Sequence, residues 1–85
     1  MPFLSPKTVT RENAQQLGKE GLINLANLRM VDCSGLKDFD STVLTVLLAW
    51  QKKLQAEGSS ISIEHPPEKL RVLAGLYGVS ALLGL

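Results

Sequence analysis

Apolar and polar positions along the chain change period several times, and each change marks an element. The longest regular stretch runs from Ser41 or Thr42 to about Ala56. There Val43, Leu47, Trp50 and Leu54 recur at helical spacing with Leu44, Val46 and Leu48 beside them, while Thr42, Thr45, Ala49, Lys52 and Lys53 fall on the opposite side. Asp40 or Ser41 supplies an N-cap, Lys52 and Lys53 place positive charge where the helix dipole favours it, and Gly58 supplies a stop. The pattern predicts a helix with one buried face and one open face.

Upstream, Pro2 and Pro6 bar regular helix from residues 1–10 and limit any strand there to a short or edge piece. Thr10 then offers an N-cap for a short helix over about 11–20, in which Ala14 and Leu17 stand at helical spacing and Gly18 or Gly21 marks the end. Residues 24–27 fit helix and strand equally, because Leu22, Ile23, Leu25, Ala26 and Leu28 are too dense to show a period. Residues 28–33 are apolar on both parities and end in Ser34-Gly35, which predicts a strand buried on both faces. Asp32 within it must lie at the open end or accept hydrogen bonds, since an unpaired buried carboxylate is costly. As such it reads as an acceptor for loop amides rather than a catalytic base.

Residues 59–64 alternate polar and apolar around Ile61 and Ile63, which predicts a strand with one buried face, ended by His65-Pro66-Pro67. A last helical pattern through Leu70, Leu73, Ala74 and Tyr77 begins near Pro67 and stops at Gly78. The apolar tail, 79–85, is expected to cap the core as a final helical turn. Strand, helix, strand, helix in that order implies parallel pairing through right-handed crossovers and an α/β layer fold.

Composition narrows the function classes. Eighty-five residues are expected to form one domain over 1–85, and 45% hydrophobic with 20% charged residues is ordinary globular usage. A formal net charge of +1 gives no field for nucleic acid and no polybasic segment for anionic lipid. No apolar run approaches the roughly 20 residues of a membrane-spanning helix, so no direct membrane insertion is expected and the chain reads as cytoplasmic. Cys33 is the only cysteine and His65 the only histidine, which excludes an internal disulfide and paired-thiolate metal sites. No metal, cofactor or catalytic residue is expected, and an enzyme is the least favoured class. The expected partner is a protein.

The stretch that concentrates candidate chemistry is 31–44, where an apolar run turns through Ser34-Gly35 and Asp40-Ser41-Thr42 opens the long helix. Taken alone, Asp40-Ser41 is a helix cap. Taken with its surroundings, this stretch resembles the STAS domain family, named for sulfate transporters and anti-sigma factor antagonists. The matching pattern is a strand ending Asp32-Cys33-Ser34, a loop carrying Leu36 and Phe39, Asp40-Ser41-Thr42 at the longest helix, a strand at 60–64 and a final Leu-rich helix. It covers roughly 28–85. Val43 stands where the family's usual glycine follows the hydroxyl pair, and the usual N-terminal strand pair has little room before Thr10.

The resemblance implies a small mixed sheet with helices packed mainly on one face, its N-terminal strand region, 1–10, short or truncated. Within the family, residues 73–79 and 47–50 look most like the small STAS subunits of Mla phospholipid transporters. That implies a non-enzymatic cytoplasmic accessory protein, held at the inner membrane through a transporter complex, that binds and supports an ABC-type ATPase in phospholipid trafficking and outer-membrane lipid asymmetry. The alternative it implies is an anti-sigma factor antagonist, whose partner is an anti-sigma factor kinase that phosphorylates Ser41. On either reading Asp40, Ser41, Thr42, Thr45, Ala49 and Lys52 form the partner-binding loop and helix face, with Asp32 and Ser34 supporting the loop.

Overall fold

A computed structural model describes residues 3–23 and 29–85. The ambiguous stretch at 24–27, and Leu28 at the head of the expected strand, lie outside those residues. In chain order the elements are β1 (Phe3–Leu4), β2 (Thr8–Val9), α1 (Ala14–Ile23), β3 (Met30–Asp32), β4 (Asp38–Phe39), α2 (Thr42–Ala56), β5 (Ser62–Glu64), α3 (Glu68–Leu76) and α4 (Ser80–Leu83). The α/β class expected from the order of elements is the one formed.

Among the described residues two small sheets carry the strands, one in the order β1-β3-β5 and one pairing β2 with β4. All three pairings are parallel, with Val31 opposite Phe3 and Ile63, and Val9 opposite Phe39. Pro6, with no amide to donate, separates β1 from β2. The backbone stays paired on either side of it. Ser5 donates its amide to the Asp32 carbonyl at 2.9 Å, and Lys37 and Asp38 donate theirs to the Lys7 carbonyl at 2.8 and 3.0 Å.

Val31 is fully buried, whereas Met30 is 46% exposed and Leu4 69% exposed. The expectation that this strand is covered on both faces therefore fails. Residues 30–33 alternate out, in, half-out, in, because the helices cover only the side on which Val31 and Cys33 lie. An apolar run of mixed parity does not distinguish the two cases, since methionine tolerates solvent.

α2 forms as its period predicts and buries Val43, Leu44, Val46, Leu47, Trp50, Gln51 and Leu54. Its end is closed at Gly58, whose φ of +78° lets Ser59 donate to the Leu54 carbonyl at 2.8 Å and Gly58 to the Gln55 carbonyl at 3.1 Å. α3 closes the same way at Gly78, with Val79 donating to Ala74 and Gly78 to Gly75. The chain turns there. Tyr77, placed on the buried series by spacing, is 60% exposed because it is the C-cap and the helical phase stops one residue before it. Beyond the turn, α4 buries Leu83 and the tail caps the core as expected.

α1 starts and ends later than spacing predicts. Side chains close the turn that leads into it, the Asn13 carboxamide oxygen accepting the Thr10 amide at 2.8 Å and the Thr10 hydroxyl accepting the Glu12 amide at 3.4 Å. The helix then runs through both glycines to Ile23. Gly21 is not a stop. It faces the indole of Trp50, where a Cβ would collide with the ring, and the Trp50 Nε1–H donates to the Gly18 carbonyl at 3.1 Å. Phe3 packs edge-on against the same indole at 5.2 Å between centroids.

Candidate functional site

The corner between β4 and α2 is built from both sides. Phe39 is buried and fixes the end of β4, and the Lys69 ammonium on α3 reaches back to donate to the Phe39 carbonyl at 2.8 Å while lying 4.8 Å from the centre of the Phe39 ring. The chain then turns into α2. The Asp40 carboxylate accepts the Thr42 amide at 2.8 Å, and the Asp40 and Ser41 carbonyls take the amides of Val43 and Leu44. Of the two caps offered by the sequence, Asp40 is the one used. The Thr42 side chain and amide hold the Asp40 carboxyl below its ordinary pKa of 3.8, with Arg11 adding a smaller push in the same direction.

That assignment leaves the Ser41 hydroxyl without a capping bond, on a helical backbone at φ −62°, ψ −12°. Ser41 is half-buried at the head of a shallow groove shared with Leu44, Thr45, Leu48, Tyr77 and Val79. Val43, which replaces the glycine of the family pattern, points inward and is 3% exposed, so the surface at the corner belongs to Asp40, Ser41 and Thr42. From Thr42 the candidate face continues up α2 through Thr45, Ala49 and Lys52, all three exposed. Of the six candidate partner-binding residues, Thr42, Thr45, Ala49 and Lys52 share one side of α2, Ser41 begins it beside Tyr77 and Val79, and Asp40 turns toward Thr10, Arg11 and Glu12.

Asp32 and Ser34 belong to a different loop. The Asp32 carboxylate accepts the Ser34 amide at 2.9 Å and lies 3.6 Å from His65 Nδ1, so it ties the turn after β3 to the turn after β5. Hydrogen bonds from Ser34, more than the His65 ring, lower its pKa. Asp32 supports loops. Cys33 beside it is 2% exposed, and burial pushes its thiol up to about 11, which removes it as a nucleophile. Among the described residues no group of three or more His, Cys, Asp or Glu side chains converges to hold a metal, and no helix is long and apolar enough to cross a membrane.

A family model described as "Mlab, STAS domain" matches residues 8–84. The chain belongs to this STAS domain family. No curated protein and no solved structure matches it. STAS domains mediate protein–protein interaction as accessory or antagonist proteins and are generally non-enzymatic. The corner and the exposed side of α2 both lie within the matched residues.

Sequence reasoning missed three supports of that surface. Lys69 clamps the strand end from 30 residues away, a contact no local pattern announces. Gly21 makes room for Trp50. Gln51, 7% exposed, accepts the Ile61 amide at 2.8 Å and donates to the Leu82 carbonyl at 2.7 Å, joining α2, the approach to β5, and α4. Its position, four after Leu47 and three before Leu54, falls on the apolar stripe and is the signal that a polar residue there is buried with partners.

Proposed function

We propose that the chain is a STAS accessory subunit that docks on the ATPase of an Mla-type ABC transporter and supports phospholipid trafficking and outer-membrane lipid asymmetry. It works in the cytoplasm, held at the inner membrane by the transporter. The observation that carries this reading is the open side of α2. Thr42, Thr45, Ala49 and Lys52 lie along one side of α2, Asp40 and Ser41 form the corner that opens it, and that corner is held by Lys69 on the Phe39 carbonyl, by the Asp40 bond to the Thr42 amide and by the apolar core beneath. Short side chains at five of these six positions suit docking, because little rotamer entropy is lost there when a partner covers them, Lys52 being the exception. The Mlab description of the matching family favours the transporter ATPase over other partners.

Co-purification tests this. The chain is expected to bind the ATPase of its own Mla-type operon; failure of the purified wild-type protein to do so overturns the reading.

One observation favours a second reading, in which the chain is an anti-sigma factor antagonist switched by phosphorylation. The Ser41 hydroxyl is uncommitted within the corner. A phosphate there would bring roughly two negative charges to a positive helix end and meet Asp40 as a repulsive neighbour. The protein interface would change while the core stayed intact. Incubation with candidate anti-sigma factor kinases and ATP, followed by mass spectrometry, decides between the readings: a phosphate on Ser41 supports the antagonist, and none counts against it.

A further inference from the structure

At the far end of α2 from Ser41 lies a second shallow groove, about 270 Å³, formed where the end of α1 meets the last two turns of α2 and lined by Leu22, Ala49, Lys52, Lys53 and Ala56. Its floor is apolar. Residues 49, 52, 53 and 56 share one side of the helix, and Leu22, 45% exposed, closes the groove from α1. Alanines at 49 and 56 leave room for another backbone to come close, and the lysine stems extend the apolar wall. Among the described residues no acidic side chain lines the groove, and neither Lys52 nor Lys53 has a hydrogen-bond or ion-pair partner. Glu20 on the adjoining helix accepts a hydrogen bond from Gln16.

We propose that this groove docks an acidic amphipathic helix of a protein partner, an apolar side chain resting on Leu22, Ala49 and Ala56 and carboxylates meeting Lys52 and Lys53. Charge complementarity selects this occupant. Both charged liners have the same sign, both are unpaired among the described residues, and both border an apolar floor that strengthens a charge-assisted hydrogen bond once it is covered. A lipid surface is the weaker fit, because bilayers take protruding apolar side chains set in a polybasic field, whereas this surface is concave and the chain carries a net charge of only +1. The groove shares Ala49 and Lys52 with the proposed docking face, so this inference rests on the reading of that face as a protein-docking surface and names the chemistry of what it takes.

The test is a titration of the isotopically labelled full chain, followed by amide shifts. The probes are synthetic helical peptides with leucines at i, i+3, i+4 and i+7 flanked by Glu, by Gln or by Lys, together with phosphatidylglycerol vesicles. The Glu peptide is expected to move the amides of Leu22, Ala49, Lys52, Lys53 and Ala56, and to bind about tenfold tighter than the Gln peptide at low salt, with the advantage shrinking as salt rises. Lys52→Gln with Lys53→Gln should abolish the advantage, and Lys52→Glu with Lys53→Glu should transfer it to the Lys peptide, both variants keeping the wild-type dispersion of signals elsewhere. Equal binding of the Glu and Gln peptides, shifts centred on other residues, or movement of these amides by vesicles alone overturns the proposal. The two failures are distinguishable: loss of ATPase binding with the Glu-peptide preference intact overturns the choice of the transporter as partner, whereas ATPase binding without that preference overturns the acidic-helix occupant.

Discussion

The two sides of α2 differ in what they can tolerate. One side buries Val43, Leu44, Val46, Leu47, Trp50, Gln51 and Leu54 against the sheets and the other helices. The other side leaves Thr45, Ala49, Lys52 and Lys53 in solvent. Both are parts of one helix with one cap, so the buried side sets the position of the open side to within a fraction of a side chain. The difference teaches how one helix can separate two tasks: its buried half carries stability, the proposed docking is assigned to its open half, and changes to one should be separable from changes to the other.

The largest effect is expected on the buried side. Leu47 is 2% exposed, and Leu47→Ala should lower unfolding free energy by about 2–5 kcal/mol through lost burial and a residual cavity; denaturant melts measure it, and a shift near zero would erase the distinction between the sides. Next is Gly21→Ala on α1, which pushes a methyl into the Trp50 ring and should cost about 1–3 kcal/mol by overpacking, the reverse of the usual gain from replacing a helical glycine. A stabilised variant would show that α1 and α2 are not packed as described.

Gln51→Ala sharpens the comparison because it removes a polar group from the apolar side. The Ile61 amide and the Leu82 carbonyl lose their partner, which should cost about 1–3 kcal/mol and expose α4 first to hydrogen exchange.

These particular residues show how much was legible. The period of 43–54 announced α2 and its open side outright, because each buried position repeats the same spacing with the same residue types. The corner was legible too, since Asp-Ser-Thr before such a period is a cap signal, although which of Asp40 and Ser41 caps depends on the backbone angle at Ser41. What could not be read was set by distant parts of the chain. Gly21 looks like a helix stop until Trp50 is laid against it, residues 30–33 look doubly buried until the helices choose a face, and Tyr77 looks buried until Gly78 turns the chain. Lys69 on the Phe39 carbonyl is a tertiary contact from the outset.

At the corner itself the expected effects are smaller. Asp40→Ala removes the acceptor of the Thr42 amide and should lower the melting temperature slightly at neutral pH, by less than any of the buried-side changes. The sign with pH follows from the lowered carboxyl: its contribution is fully present above the ordinary value of 3.8 and is lost as pH falls through the lower folded value, so Asp40→Ala should flatten that part of the acid limb. An unchanged acid limb would separate Asp40 from the cap.

The smallest change in stability and the largest in recognition are expected from Ser41 and Thr45, whose substitution should move unfolding free energy by less than about 0.5 kcal/mol. The decisive measurement is the affinity of the ATPase proposed as partner for wild-type protein, Ser41→Ala, Ser41→Glu and Thr45→Arg, each with its melting curve. The expected result is a graded loss at nearly constant melting temperature, modest for Ser41→Ala and about tenfold or more for Ser41→Glu and Thr45→Arg, because charge or bulk is set into a packed surface. Equal affinity for all four forms would contradict the claim that the open side of α2 is the docking face.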